Sequence, residues 1–290
     1  MSEPSERAFP IADALIECCM QGAGAPVLLL HGIPGDLRTL LPTAGRLADR
    51  CEAITVSLPA LGQGMRASRP FGTAGQRDDV IDLIRSIGRG PVHLVAWSYS
   101  AQAAMAVAIT RPDLVRSLFL YEPGFPTFVE TASARDEVQA DTIAAFGPVA
   151  EALGRGDAEA ALRYAIDGAA NELGYFEAQP EALRAIHWET AGMLAALFTQ
   201  TPPLALGTAD LRAIACPVTV ARGALTRACY RIVSDEAARL IRDTTHVVVP
   251  GAGHLLPERS PDAFSLLIRA HLDRAAGGEP RVGTRPGTEN

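Results

Sequence analysis

The sequence predicts an α/β protein: a mostly parallel central sheet with flanking helices and an inserted helical segment. Three observations predict it. Short apolar runs alternate with helix-period segments toward both ends of the chain. The runs are continuous rather than alternating, as strands covered on both faces require. From about residue 125 to 211 the alternation gives way to helical pattern alone, which reads as an insertion between two strands.

The elements follow in order. Phe9 to Met20 reads as two short strands with Gly22 and Gly24 in the turn after them, and Pro26–Leu30 is an uninterrupted apolar strand. HGIPGD follows as a loop, then a helix near Thr39 to Arg50 and a strand at Ala53–Ser57, which ends in the turn-rich PALGQG. Val80, Ile81, Leu83, Ile84 and Ile87 sit at helical spacing within a helix near Ala74 to Ile87. Pro91–Trp97 is a central strand, and a small-residue helix from about Ser100 stops at Arg111-Pro112. Arg116–Tyr121 is the next strand. Glycines and prolines break the following Ala- and Glu-rich stretch into separate helices. The alternation resumes with a strand at Pro217–Ala221, a helix near Ser234 to Arg242, a strand at Thr245–Val249 and a helix near Asp262 to Arg274. The implied organisation is a core over residues 1–124 and 212–274, a helical cap over 125–211 and a disordered tail over 275–290.

Composition narrows the function. The chain has 290 residues and a formal net charge of -7, without a basic cluster, which argues against a nucleic-acid partner. All 26 basic residues are arginine, so Schiff-base, pyridoxal phosphate and P-loop lysine chemistry is excluded. No G-x-G-x-x-G follows the first buried strand, and no cluster has metal-ligand spacing. No cofactor is expected. The five cysteines form no C-x-x-C pair, and their odd number suggests reduced thiols in a cytoplasmic protein. The N-terminus lacks the pattern of a signal peptide, and no apolar run reaches the roughly 18 residues of a membrane span. The expected partner is a small-molecule substrate; the oligomeric state is left open, a homodimer included.

In parallel sheets ligands bind beyond the carboxyl ends of the strands. His31 to Asp36, Ser98, Glu122, Gly223 to Arg227 and His254 all follow strands and so converge on that edge. Ser98, in AWSYS, reads either as a nucleophile on a sharp strand-to-helix turn or as a helix N-cap. The glycines expected on both sides of such a nucleophile are replaced by Ala96 and Ser100, the next smallest side chains. Of the six histidines only His254 lies in a glycine-rich loop after the last strand. Histidine's ordinary pKa, about 6.5, suits it to take and return a proton.

With HGIPGD, AWSYS, the helical stretch after Glu122 and GAGH in this order, the chain from about Phe9 to Arg274 resembles the α/β-hydrolase fold family. The resemblance implies Ser98 as nucleophile, His254 as general base, and an oxyanion hole formed by the backbone N–H groups of Ile33 and Tyr99. It assigns His31 a structural role in its loop. In many members the third triad residue is an Asp after the strand Pro217–Ala221. Here that loop reads RGALTRACY, with Thr226 where Asp would be expected. Other members carry the acid after the strand that follows the nucleophile helix; Glu122 stands there and is the expected triad acid, capping a helix or pairing with an arginine being the alternative. The implied activity is a carboxylic ester hydrolase, cleaving an ester, lactone, thioester or activated C–C bond of a small, fairly apolar substrate through an acyl-enzyme. A cofactor-independent dioxygenase of the same fold and a catalytically degenerate ligand-binding member are the alternatives. Phe176, His187, Trp188, Met193, Leu194, Leu197 and Phe198 are cap residues that could line the site or form the cap's own core.

Overall fold

The computed structural model describes residues 4–12, 14–58 and 70–277. The loop PALGQG and the tail from residue 278 lie outside the described residues. Eight strands form one sheet: β1 (Ser5–Ile11), β2 (Ala14–Gly22), β3 (Pro26–Leu30), β4 (Glu52–Val56), β5 (Val92–Trp97), β6 (Val115–Tyr121), β7 (Val218–Gly223) and β8 (Thr244–Val249). Their spatial order is β1-β2-β4-β3-β5-β6-β7-β8. The β1–β2 and β2–β4 pairs are antiparallel; every other pair is parallel.

The buried strands sort their side chains with period two. Leu28 and Leu30 of β3, Leu94 and Ala96 of β5, and Leu118 and Leu120 of β6 enter one core. That core is covered by α2 (Thr73–Ile87), α3 (Tyr99–Thr110) and α10 (Ala228–Leu240). Val27 and Leu29, Val95 and Trp97, and Phe119 and Tyr121 face the opposite core, under α1 (Leu41–Leu47) and α12 (Pro261–Ala275). Both faces are therefore covered, which is why these strands read as continuous apolar runs. In α3 the residues Ala101, Ala103, Ala104, Ala106 and Ala108 are all buried, and their small volume lets the helix lie close on the sheet.

Between β6 and β7 the chain forms five cap helices: α4 (Ala132–Gly154), α5 (Ala158–Ala170), α6 (Tyr175–Ala178), α7 (Glu181–Thr190) and α8 (Gly192–Thr199). A sixth helix, α9 (Thr208–Ala213), buries Leu211 in the core beneath α3 and α10. The last helices are α11 (Leu256–Arg259) and α12; α12 extends to Ala275, just past the start of the tail expected from the sequence. The helix expected near Ser234 starts earlier, at Ala228, because Cys229, Tyr230, Ile232 and Val233 bury one face in the core. Among the described residues no helix is long and apolar enough to cross a membrane.

One polar network lies within this apolar sandwich. The Ser117 hydroxyl on β6 lies 2.7 Å from His93 Nδ1 on β5 and 2.8 Å from His271 Nε2 on α12. His271 Nδ1 lies 2.8 Å from the Thr219 hydroxyl on β7. Burial, assisted by Arg116, pushes the His93 imidazole down to about 4. Burial, with Arg274 and His93, pushes His271 down to about 3. Both rings are thus neutral in the fold, whereas an unfolded chain would protonate them below about pH 6.5. The unfolded state then binds more protons, so stability is full above pH 6.5 and declines as pH falls toward 4. Each ring is expected to remove about 1.4 kcal/mol per pH unit within this window. Urea unfolding of wild type and His93→Gln at pH 7.5 and 5.0 checks this. The variant should lose about 2 kcal/mol less than wild type between these pH values; parallel losses would exclude His93 as a source.

Candidate active site

The site is assembled at the carboxyl edge of the sheet. β5 ends at Trp97, α3 begins at Tyr99, and Ser98 between them has φ 59 and ψ -116, a conformation that L-residues rarely adopt. Its backbone N–H donates to the Tyr121 carbonyl at the end of β6 (3.0 Å). Its side chain makes no capping hydrogen bond to α3, which separates it from an ordinary N-cap serine. The absent glycines have a visible compensation. Ala96 is wholly buried on β5, and the Ser100 hydroxyl donates to the His31 carbonyl (2.5 Å) while accepting from Gln76 Nε2 (3.0 Å). Ser100 therefore ties the HGIPGD loop to the start of α3, a bond that glycine could not make.

The same loop is fixed internally by His31. The Leu58 N–H donates to His31 Nε2 (3.3 Å), so the ring's other nitrogen, Nδ1, is the donor to the Gly32 carbonyl at 2.6 Å. Burial holds this imidazole below its ordinary pKa, which suits the neutral tautomer. Gly32 lies where a Cβ would stand 3.4 Å from both the Ser98 side chain and the Trp97 ring, so the loop passes close to the serine.

Ser98, His254 and Glu122 meet as a continuous chain. His254 Nε2 lies 2.9 Å from Ser98 Oγ, and His254 Nδ1 lies 2.7 Å from Glu122 Oε2. Glu122 is fully buried and has φ 47, a strained backbone that turns its side chain beneath the imidazole. Its carboxylate also accepts from the Gly223 N–H (2.7 Å to Oε1) and from the Thr226 hydroxyl (2.7 Å to Oε2). Thr226, in the loop where Asp was expected, is thus a hydrogen-bond donor to the carboxylate that stands on the neighbouring strand.

Other residues that orient the histidine carry no sequence signature. The Tyr230 ring stacks on the His254 ring, with centroids 3.6 Å apart and an interplanar angle of 4°. Trp97 approaches from another side at 5.7 Å, and its indole N–H donates to the His254 carbonyl (3.1 Å). The Tyr121 hydroxyl donates to the Gly253 carbonyl (2.7 Å). An aromatic residue in a helix or at a strand end reads as core, and only the fold brings these rings to one loop.

Ser98, His254, Ile33 and Tyr99 line a cavity of about 280 Å³. Its walls are mainly apolar: Phe146 and Val149 of α4, Ile166 of α5, Leu194, Leu197 and Phe198 of α8, and Phe125 before the cap. Of the cap residues singled out in the sequence, His187, Leu194, Leu197 and Phe198 line it, whereas Phe176 and Trp188 pack edge-on against each other. Ion pairs seat the cap. Arg38, beside the HGIPGD loop, pairs with Asp36 and with Glu189 of α7, each at 2.6 Å. Arg227, after β7, pairs with Asp141 of α4 (2.7 Å). Burial alone would raise the Asp141 carboxyl, but the Cys229 N–H and Arg227 hold it below its ordinary range.

A model of the alpha/beta hydrolase family matches residues 27–265. The chain belongs to this family. Its curated relatives include a 2-(acetamidomethylene)succinate hydrolase from Mesorhizobium japonicum, 29% identical over 270 residues, covering 87% of this chain and 90% of that protein. A fluoroacetate dehalogenase from a Burkholderia species is 28% identical over 131 residues, 42% of each chain. Among solved structures, a bromoperoxidase from Bacillus anthracis superposes with a TM-score of 0.75 at 18% identity, covering 93% of this chain and all (100%) of that one. The enol-lactonase from Burkholderia xenovorans LB400 gives 0.74 at 16% identity, covering 92% and 99%. These superpositions establish the fold.

Gly223, beside the site, is sterically obligatory. A Cβ on Gly223 would stand 2.2 Å from the Ala252 carbonyl oxygen and 2.7 Å from the Gly253 nitrogen, both backbone atoms of the loop that carries His254. Gly223→Ala must therefore push that loop off β7. It is expected to destabilise the fold by about 1–3 kcal/mol, as overpacking of a close contact does, and to displace the imidazole. Thermal unfolding and crystallography of the variant check this; an unshifted loop at wild-type stability would refute the close approach.

Proposed function

We propose that the chain is a serine hydrolase that cleaves an ester, lactone, thioester or activated C–C bond of a small, fairly apolar substrate through an acyl-enzyme. The observation that carries the reading is the unbroken hydrogen-bond chain from Ser98 Oγ through His254 to the buried Glu122, opening on an apolar cavity. His254 takes the serine proton as Ser98 Oγ attacks the carbonyl. Glu122 holds the imidazole in the productive tautomer and stabilises the imidazolium. The N–H groups of Ile33 and Tyr99 hold the oxyanion of the tetrahedral intermediate. His254 then returns its proton to the leaving group and activates the water that releases the acid. The Mesorhizobium relative, named as a hydrolase and matched over most of both chains, supports the reaction class. The short Ser98–His254 contact favours hydrolysis over cofactor-independent oxygenation, which needs no such serine.

The expected outcome is tested by intact-protein mass after exposure to a fluorophosphonate. One adduct per wild-type chain is expected, none on Ser98→Ala, and slow formation on Glu122→Gln. With an ester substrate, Glu122→Gln should lose about 10⁴-fold in kcat, the scale found when a triad acid is neutralised. An unlabelled wild type would reject the nucleophile; near wild-type turnover by Glu122→Gln would remove Glu122 from the mechanism.

A further inference from the structure

The cavity wall carries a second cluster of polar groups that the chain of Ser98, His254 and Glu122 does not use. His187 on α7 and Glu258 on α11 both line the cavity, and each side chain is only 1% exposed. His187 Nε2 lies 3.4 Å from Glu258 Oε2, outside strong hydrogen-bond geometry. Neither ring nitrogen of His187 has a hydrogen-bond partner in the protein, nor does Glu258 Oε1. The Gln179 side-chain N–H donates to Glu258 Oε2 (3.3 Å), which engages that oxygen and leaves Oε1 without a partner. A buried carboxylate offers about four acceptor positions, and a buried imidazole offers two nitrogens. Leaving such groups unsatisfied carries their full desolvation penalty, and in native proteins they are nearly always partnered. The rest of the wall is mainly apolar, and its polar side chains, Thr142 and Gln200 among them, make no hydrogen bond to these atoms. No arginine lines the cavity among the described residues, so an acceptor-only anion entering here finds no guanidinium and brings no donor to Glu258 Oε1.

Resting on the acyl-transfer reading, we propose that His187 and Glu258, with Gln179 as their positioning residue, form a polar subsite that takes a neutral hydrogen-bond donor of the substrate, a hydroxyl or an amide. Glu258 Oε1 accepts the ligand's O–H or N–H, and a nitrogen of His187 completes the pair. The preferred substrate class is therefore an acyl compound with an apolar body and one neutral polar group, rather than a plain alkyl ester or an anionic one.

The test compares p-nitrophenyl esters of straight-chain acids from four to eight carbons bearing a terminal methyl, hydroxyl or carboxylate. Wild type is expected to favour the hydroxyl series over the methyl series at least tenfold in kcat/KM at its best length. Glu258→Gln and His187→Leu are expected to bring that ratio close to one. The ratio compares two substrates on one preparation, so it does not depend on how much of a variant is folded. A ratio near one in wild type, a ratio unchanged in both variants, or a preference for the carboxylate series would overturn the subsite while leaving ester hydrolysis intact. A parallel measurement separates the two ideas. In Ser98→Ala, calorimetric Kd values for the matching hydroxy-amides and alkyl amides should keep the tenfold preference, and Ser98→Ala/Glu258→Gln should lose it. Selective binding without turnover of any ester by wild type would uphold the subsite and reject the acyl-transfer reading; unselective binding would reject the subsite.

Discussion

The buried Glu122 carboxylate is the constraint around which the carboxyl edge of the sheet is organised. A charge of this kind is tolerated in a low-dielectric interior only when its oxygens are fully engaged. Here the partners come from three places: the Gly223 N–H at the end of β7, the Thr226 hydroxyl in the loop beyond it, and the His254 ring from the loop after β8. Satisfying one carboxylate therefore fixes three separate segments relative to one another: that of Glu122, the loop from Gly223 to Thr226, and the loop of His254. The left-handed backbone of Glu122, the absence of a Cβ at Gly223 and the hydroxyl of Thr226 all serve this single arrangement. Removing one donor leaves the carboxylate under-satisfied and loosens the histidine at the same moment.

The arrangement also explains how a chain of serine, histidine and carboxylate is completed from the strand next to β7. β6 and β7 are neighbours in the sheet, with Tyr121 opposite Ala221. The residue after β6 and the loop after β7 thus open onto the same space beneath His254. A carboxylate from either can reach Nδ1, provided that the other supplies hydrogen-bond donors rather than a second charge. Thr226 meets that condition; two carboxylates there would repel, and one would hold its proton. Parallel neighbours make the two positions equivalent for the histidine, although about a hundred residues separate them in the chain.

Much of this was legible in the sequence, for a physical reason. The buried strands read correctly because both faces are covered, and the order HGIPGD, AWSYS, Glu122, GAGH is fixed by the topology of the sheet. What escaped was packing that leaves no local trace. The first turns of α10 are rich in aromatic and β-branched residues, whose weak helix propensity conceals a helix held by tertiary burial. Tyr230 on those turns stacks on His254, and nothing in ACYRIV distinguishes it from a core residue. The expected tail lost its first residue to α12, because a helix already docked on α1 is extended at little cost. In the sequence Ser100 is legible only as a small side chain, because its hydrogen bond to the HGIPGD loop exists only where β3 and β5 lie side by side.

The cap completes the logic of the site through charge rather than apolar burial alone. Its inner face is largely apolar, and an apolar face on an apolar floor leaves the position of a lid weakly specified. Arg38 and Arg227 supply the specification. The first joins α7 to the loop that approaches Ser98; the second joins α4 to the loop that holds Thr226. Exposed ion pairs contribute little to stability, and the Arg38–Glu189 pair is of that kind. The Arg227–Asp141 pair differs: it is largely buried, and Asp141 also accepts the Cys229 N–H at the start of the helix that carries Tyr230. Cap position, the donor to Glu122 and the ring that stacks on His254 thus share one short segment, Thr226 to Tyr230. The contacts that seat α4 and those that hold the His254 ring are therefore made by neighbouring residues of one loop and helix start, so the cap and the histidine share a single structural support.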